Sequence, residues 1–173
     1  MAKVRGGDKL QLALVDIALQ VDEGGLLRVG FLENASYPQT PRPQLRAQYA
    51  KRRAKGNLRP IKVTAPAAVN VPTVAAWNEY GTGTAPPRPF FRTMIRMKAH
   101  EWGPALAIQL RLNNYDVDKS LRVLGEGIAG QLRESIINTN APPLAQSTIA
   151  RKGFSKPLVD TAHMLMSVDY EIV

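Results

Sequence analysis

The sequence predicts an α+β fold: a small antiparallel sheet packed by two long helices, with a long basic loop insertion. Three observations predict it. Two short stretches near opposite ends of the chain, residues 26–32 and 167–173, alternate large apolar with other residues, the spacing of half-buried strands. Two longer stretches between them, 91–112 and about 118–138, repeat apolar residues at helical spacing. Residues 36–70 separate the first strand from the helices and are rich in Pro, Gln, Arg and Lys. Strands and helices segregated in this way imply helices laid on one face of a sheet.

The elements follow in order. Gly6-Gly7-Asp8 reads as a loose start with Asp8 as N-cap, before a helix with Leu10, Leu14, Ile17 and Val21 on one face, ended by Gly24-Gly25. In LLRVGFL, residues 26–32, Leu27, Val29 and Phe31 share one face of a strand. The 36–70 stretch reads as extended loop, with a short helix around 44–53 and a strand at 61–64. A short helix from Thr73 to Tyr80 stops at Gly81, the usual left-handed terminator. Phe91 to Leu112 carries Phe91, Ile95, Trp102, Leu106 and Leu110 near one face, and Gly103-Pro104 inside it predicts a kink or restart. Asp116 or Asp118 caps the next helix, whose stripe is Leu121, Leu124, Ile128, Leu132 and Ile136. Gly125, Gly127 and Gly130 weaken that helix by up to about 1 kcal/mol each relative to Ala and leave room for another backbone. Pro142-Pro143 follow it, 147–152 make a helical turn before Gly153, and Asp160 caps a last helix containing Met164 and Leu165. Val168, Tyr170 and Ile172 alternate in a closing strand.

The length of 173 residues, 45% hydrophobic, suits a single domain over 1–173, with 36–70 as an insertion. A chain of this size buries about 70% of its unfolded surface. With no cysteine there is neither a disulfide nor a thiolate nucleophile or metal ligand, and the two histidines alone make no His-rich zinc site. No apolar run approaches membrane-spanning length, and MAKVRGGDKL lacks the apolar core of a signal peptide, so a soluble protein, intracellular when made, is expected.

The net charge of +9 is unevenly placed. Arg42, Arg46, Lys51, Arg52, Arg53, Lys55, Arg59 and Lys62 supply eight basic residues in a segment with no acid, leaving +1 for everything else. That segment is a candidate contact for nucleic acid or a neighbouring ring. Tyr49 gives it one stacking ring, short of the aromatic platform single-strand binders use.

Residues 71–91 join a helix, a stop and a stiff arm. Pro86, Pro87 and Pro89 hold polyproline geometry around Arg88, and Phe90-Phe91 open the next helix. Such an arm can present Arg and aromatic residues for docking, since both are enriched at interface hot spots. It can equally be a connector whose phenylalanines enter the core. The candidate subunit-interface residues are Trp77, Glu79, Tyr80, Pro87, Arg88, Pro89, Phe90 and Phe91.

The runs AAWNEYGT and PPRPFFR, then PPLAQSTIARKG and KPLVDTAHM, resemble tail-component and neck proteins of tailed bacteriophages, above all the family named after the gp10-like protein of phage HK97. The matching positions are Glu79, Tyr80 and Gly81; Pro87, Arg88, Pro89 and Phe90; Pro142, Pro143 and Leu144; and Pro157, Leu158, Asp160 and Thr161. The likeness spans residues 26–33 and 71–173. It departs at Ala162, where the family has Gly, and in the longer, more basic 36–70 stretch. The resemblance implies a structural virion protein at the head–tail junction or tail end, made in the host cytoplasm. It implies a homo-oligomeric ring, sixfold, that completes the tail or neck and joins connector and tail-tube or tail-terminator proteins, with DNA passing through the lumen and no membrane partner. Basic loops lining that lumen would hold the DNA, so an outward or subunit-facing insertion is expected.

Chemistry is otherwise sparse. His100 has Glu101 adjacent rather than at i+4, the wrong spacing for a helical metal pair. His163 near Asp160 and Thr161 suggests a hydrolase, but Asp160 is better explained as a helix cap. GTGT at 81–84 lacks the Gly-Lys-Ser/Thr of a phosphate loop. The expectation is no enzyme, no cofactor and no metal. The rival reading is a basic nucleic-acid-binding module using 42–62.

Overall fold

Large apolar residues alternating with Arg28 and Gly30 make Leu27–Phe31 a strand, β1, in the computed structural model, which describes residues 7–22, 24–31, 35–37, 69–83, 85–159 and 162–173. Its partner β2, Val168–Ile172, runs antiparallel in the register Leu27↔Ile172, Val29↔Tyr170 and Phe31↔Val168. Leu26 and Val173 extend the ladder with reciprocal bonds of 2.8 and 2.9 Å. The fold class expected from sequence is therefore the one observed: α+β with a small antiparallel sheet and two long helices packed together.

The helices are α1, Gly7–Asp22; α2, Val71–Tyr80; α3, Phe90–Leu112; α4, Val117–Asn138; α5, Gln146–Lys152; and α6, His163–Met166. Asp116 caps α4 by accepting the Lys119 amide at 2.9 Å. The α4 stripe packs as its spacing implies: Leu121, Ile128, Leu132 and Ile136 are buried and Leu124 half-buried. This helix lies across both strands, and α3 packs along it. The core gathers Val71, Ala75, Phe90, Met94 and Met164 around that stripe, with Phe31 edge-on to Phe90 at 6.2 Å.

Several expectations are corrected. No restart occurs at Gly103-Pro104: α3 runs unbroken for 23 residues, the lost hydrogen bond falling on its exposed side. The buried residues of α3 are Phe90 and Met94, while the expected stripe of Phe91, Ile95, Trp102 and Leu106 is only partly covered. Asp8 lies inside α1 rather than capping it, and the face expected to be core is exposed at Leu14 and Val21. Gly125 is crowded by side chains rather than by a backbone, namely Tyr170 and Leu27, and Gly127 and Gly130 face open space. The cap expected of Asp160 falls to Ala162, which precedes α6 with a left-handed φ of 58°. Asp160 and Thr161, the short helix at 44–53 and the strand at 61–64 lie outside the described residues.

Candidate functional site

Helix α3 begins at Phe90 with Pro89 as its N-cap, a residue with no side-chain acceptor, so its first amides need an outside partner. Glu79, in the last turn of α2, supplies it. One carboxylate oxygen accepts the Phe91 amide at 2.9 Å, and the other accepts the Arg92 amide at 3.1 Å and Arg92 Nε at 2.8 Å. Arg92 also donates to the Glu79 carbonyl at 3.1 Å and lies over the Tyr80 ring at 4.8 Å. The negative charge sits where the helix dipole favours it. A buried carboxylate is tolerable because hydrogen bonds and a cation answer it.

The turn between the two helices brings these groups together. Gly81 has φ 79° and ψ 176°, positive but extended rather than the left-handed helical stop expected. A Cβ there would stand 2.9 Å from the Pro87 nitrogen, so glycine is required by close approach as well as by φ. Beyond it the Arg88 amide donates to the Asn78 carbonyl at 2.7 Å. Arg88 then turns inward: Nε donates to the Pro142 carbonyl at 2.9 Å and Nη2 to the Pro143 carbonyl at 3.1 Å. Ser135 Oγ donates to the Phe90 carbonyl at 2.7 Å, tying the same corner to α4.

The expectation that the arm offers Arg88 and Phe90 to a neighbour is thus corrected. Glu79, Arg88 and Phe90 are buried, with their hydrogen bonds and packing spent inside the subunit. Pro87 and Pro89 are exposed but serve as the connector, and Phe91 is half-buried against Phe90 at 6.4 Å. Of the eight candidates, Trp77 and Tyr80 keep large exposed rings, 51% and 67% accessible. Between Tyr80 and Phe31 lies an apolar hollow of about 290 Å³, floored by Phe90 and rimmed by Arg92. One signal in the sequence could have revealed the clamp: a helix opening on Pro-Phe-Phe has no cap of its own, and Glu79 is the nearest upstream acid.

The eight basic residues Arg42 to Lys62 lie outside the described residues, but the ends of their segment are fixed. Ser36 and Asn70 form an antiparallel bridge, with Tyr37 N donating to Val69 O at 3.1 Å and Val71 N to Ala35 O at 2.8 Å. His163 braces this stem, its Nε2 lying 2.9 Å from the Ser36 carbonyl and its ring 4.9 Å from that of Tyr37. The residues on either side of 38–68 are therefore neighbours in space. Among the described residues no group of His, Asp and Glu could hold a metal ion, no buried side-chain polar atom lacks a partner, and no helix is long and apolar enough to cross a membrane. No protein-family model, curated protein or solved structure matches the chain.

Proposed function

We propose that the chain is a structural subunit of a tailed bacteriophage virion. In this reading it forms a ring at the head–tail junction or tail end that joins connector proteins to tail-tube or tail-terminator proteins, with no cofactor and no catalytic step. The observation that carries it is the fate of the motif residues. Glu79, Gly81, Arg88, Phe90, Pro142 and Pro143, which bear the resemblance to neck and tail-completion proteins, converge on one internal corner and use their polar groups there. A motif spent on holding shape suits a scaffold. The exposed groups are large and apolar, Trp77 and Tyr80 beside the clamp and Leu12, Leu14 and Leu19 on α1, the composition of surfaces that meet other protein.

The test is complementation of a phage lacking this gene with a tagged chain, followed by gold labelling of purified particles. Label at the neck or tail end is the expected result; particles without label overturn the reading. The second reading, nucleic-acid binding through 42–62, is favoured by eight basic residues and no acid in a segment whose flanking residues Ser36 and Asn70 are bridged. Its signature is DNA affinity that falls steeply with salt and disappears when those residues become Gln.

A further inference from the structure

Helix α1 exposes apolar residues on more than one face. Leu12, Leu14, Val15, Leu19 and Val21 are 46–65% accessible, and α1 has no broad contact with any other element among the described residues. A helix apolar all round is ordinarily covered. The same chain has an uncovered apolar groove of about 410 Å³. Leu27 and Val29 of β1, Ile95, Trp102 and Leu106 of α3, and Leu124 of α4 line it, including the α3 residues whose spacing marks them as core. The charges also match: α1 carries Asp8, Asp16 and Asp22 against Lys9, whereas α3 keeps Arg96 and Arg111 in excess once Arg92 is paired with Glu79 and Lys98 with Glu101.

We infer that α1 of one copy docks in the groove of the next copy, head to tail. A contact between different surfaces of identical chains closes into a ring when its rotation allows, so the inference deepens the ring reading and rests on it. No described residue of α1 lines the groove of its own chain, although Gly25, just beyond the helix, does. The last turn of α1 rests by the α3–α4 turn, where Gln20 and Gly24 share a hollow with Asn113, Asn114 and Asp116. Leu26 is already paired with Val173, leaving only residues 23–25 between helix and sheet. Gly24 has φ 66°, and a Cβ on Gly25 would lie 2.7 Å from Leu121 Cδ1, so glycine suits both positions.

The absence of cysteine makes a single-site probe clean. The full chain with Leu14→Cys, carrying a benzophenone photocrosslinker, is mixed with ¹⁵N-labelled unmodified chain, irradiated and mapped by mass spectrometry. Adducts on ¹⁵N peptides of α3 and β1 are expected, and Leu106→Glu in the labelled chain should reduce them at least about tenfold, the effect of roughly one lost apolar anchor. Adducts on the probe-bearing chain's own groove, on other surfaces, or none at all overturn the inference. Sedimentation of the same samples separates the two readings: oligomers without groove adducts remove the docking mode and leave the ring, which gold labelling of particles decides independently.

Discussion

At the residue scale, Glu79 is the side chain on which most depends. Its carboxylate accepts two backbone amides and one guanidinium nitrogen, so Glu79→Gln removes the charge facing Arg92 and the helix dipole while keeping the size. Loss of charge-assisted bonds in a buried setting should cost about 1–3 kcal/mol. For a chain of this length, that is a fall in melting temperature of several degrees, and an unchanged midpoint would show that Arg92 alone holds the corner. Phe90→Ala should be harsher, about 3–5 kcal/mol, because the ring is 1% exposed and its loss leaves a cavity against Phe31. Ala162 offers the opposite case. It sits at φ 58°, where a Cβ is strained and glycine is not. Ala162→Gly should stabilise by about 1 kcal/mol, read as a higher denaturation midpoint. A lower midpoint would mean the methyl group packs usefully enough to outweigh the strain.

At the element scale, α4 carries three glycines with different duties. A Cβ on Gly125 would stand 2.6 Å from the Tyr170 ring and 2.8 Å from Leu27 Cδ1, whereas Gly127 and Gly130 meet nothing within 4 Å. The first lets the helix seat on the sheet, and the other two only cost helix propensity. Gly125→Ala should therefore destabilise by about 1–3 kcal/mol through overpacking. Gly127→Ala and Gly130→Ala should each stabilise by up to about 1 kcal/mol. Urea denaturation of the three variants tests this directly; equal effects at all three positions would refute the close seating of helix on strand. The surface pair Arg122–Asp118, one turn apart on α4, is fully exposed and contributes little. The Asp118 hydrogen bond and charge raise the Arg122 pKa above the ordinary guanidinium value.

At the scale of the whole molecule, the residues that flank the basic segment are held together in a stem. Because Ser36 and Asn70 already pair in an antiparallel bridge and the Tyr37 amide donates to the Val69 carbonyl, residues 38–68 can be replaced by Asn-Gly, the turn that suits a two-residue hairpin. Closing a shorter loop costs less entropy. The shortened chain should melt within about 1 kcal/mol of the full one, measured by thermal denaturation. A collapse of the midpoint would make the segment part of the core. Replacing only the eight basic residues with Gln, which lowers the net charge from +9 to +1, should leave folding within about 0.5 kcal/mol. DNA retention by that variant would remove the nucleic-acid reading's footprint.

What residues 27–31 and 168–172 would do was legible without coordinates, since alternation fixes a strand and its two faces. The same holds for the Gly153 stop, the α4 stripe and an Asp cap at 116 or 118, of which the fold uses Asp116, each decided within a few residues of chain. The partners of Glu79 and Arg88 were not legible. Glu79 meets amides 12 and 13 residues on, and Arg88 meets carbonyls 54 and 55 residues on, separations that no local spacing encodes. Periodicity also misjudged α1 and the α3 stripe in the same way. A repeat of 3.6 residues shows which side of a helix is apolar, because that follows from backbone geometry. Whether that side is covered by its own sheet or left exposed depends on where the rest of the backbone goes, and only the tertiary structure decided it.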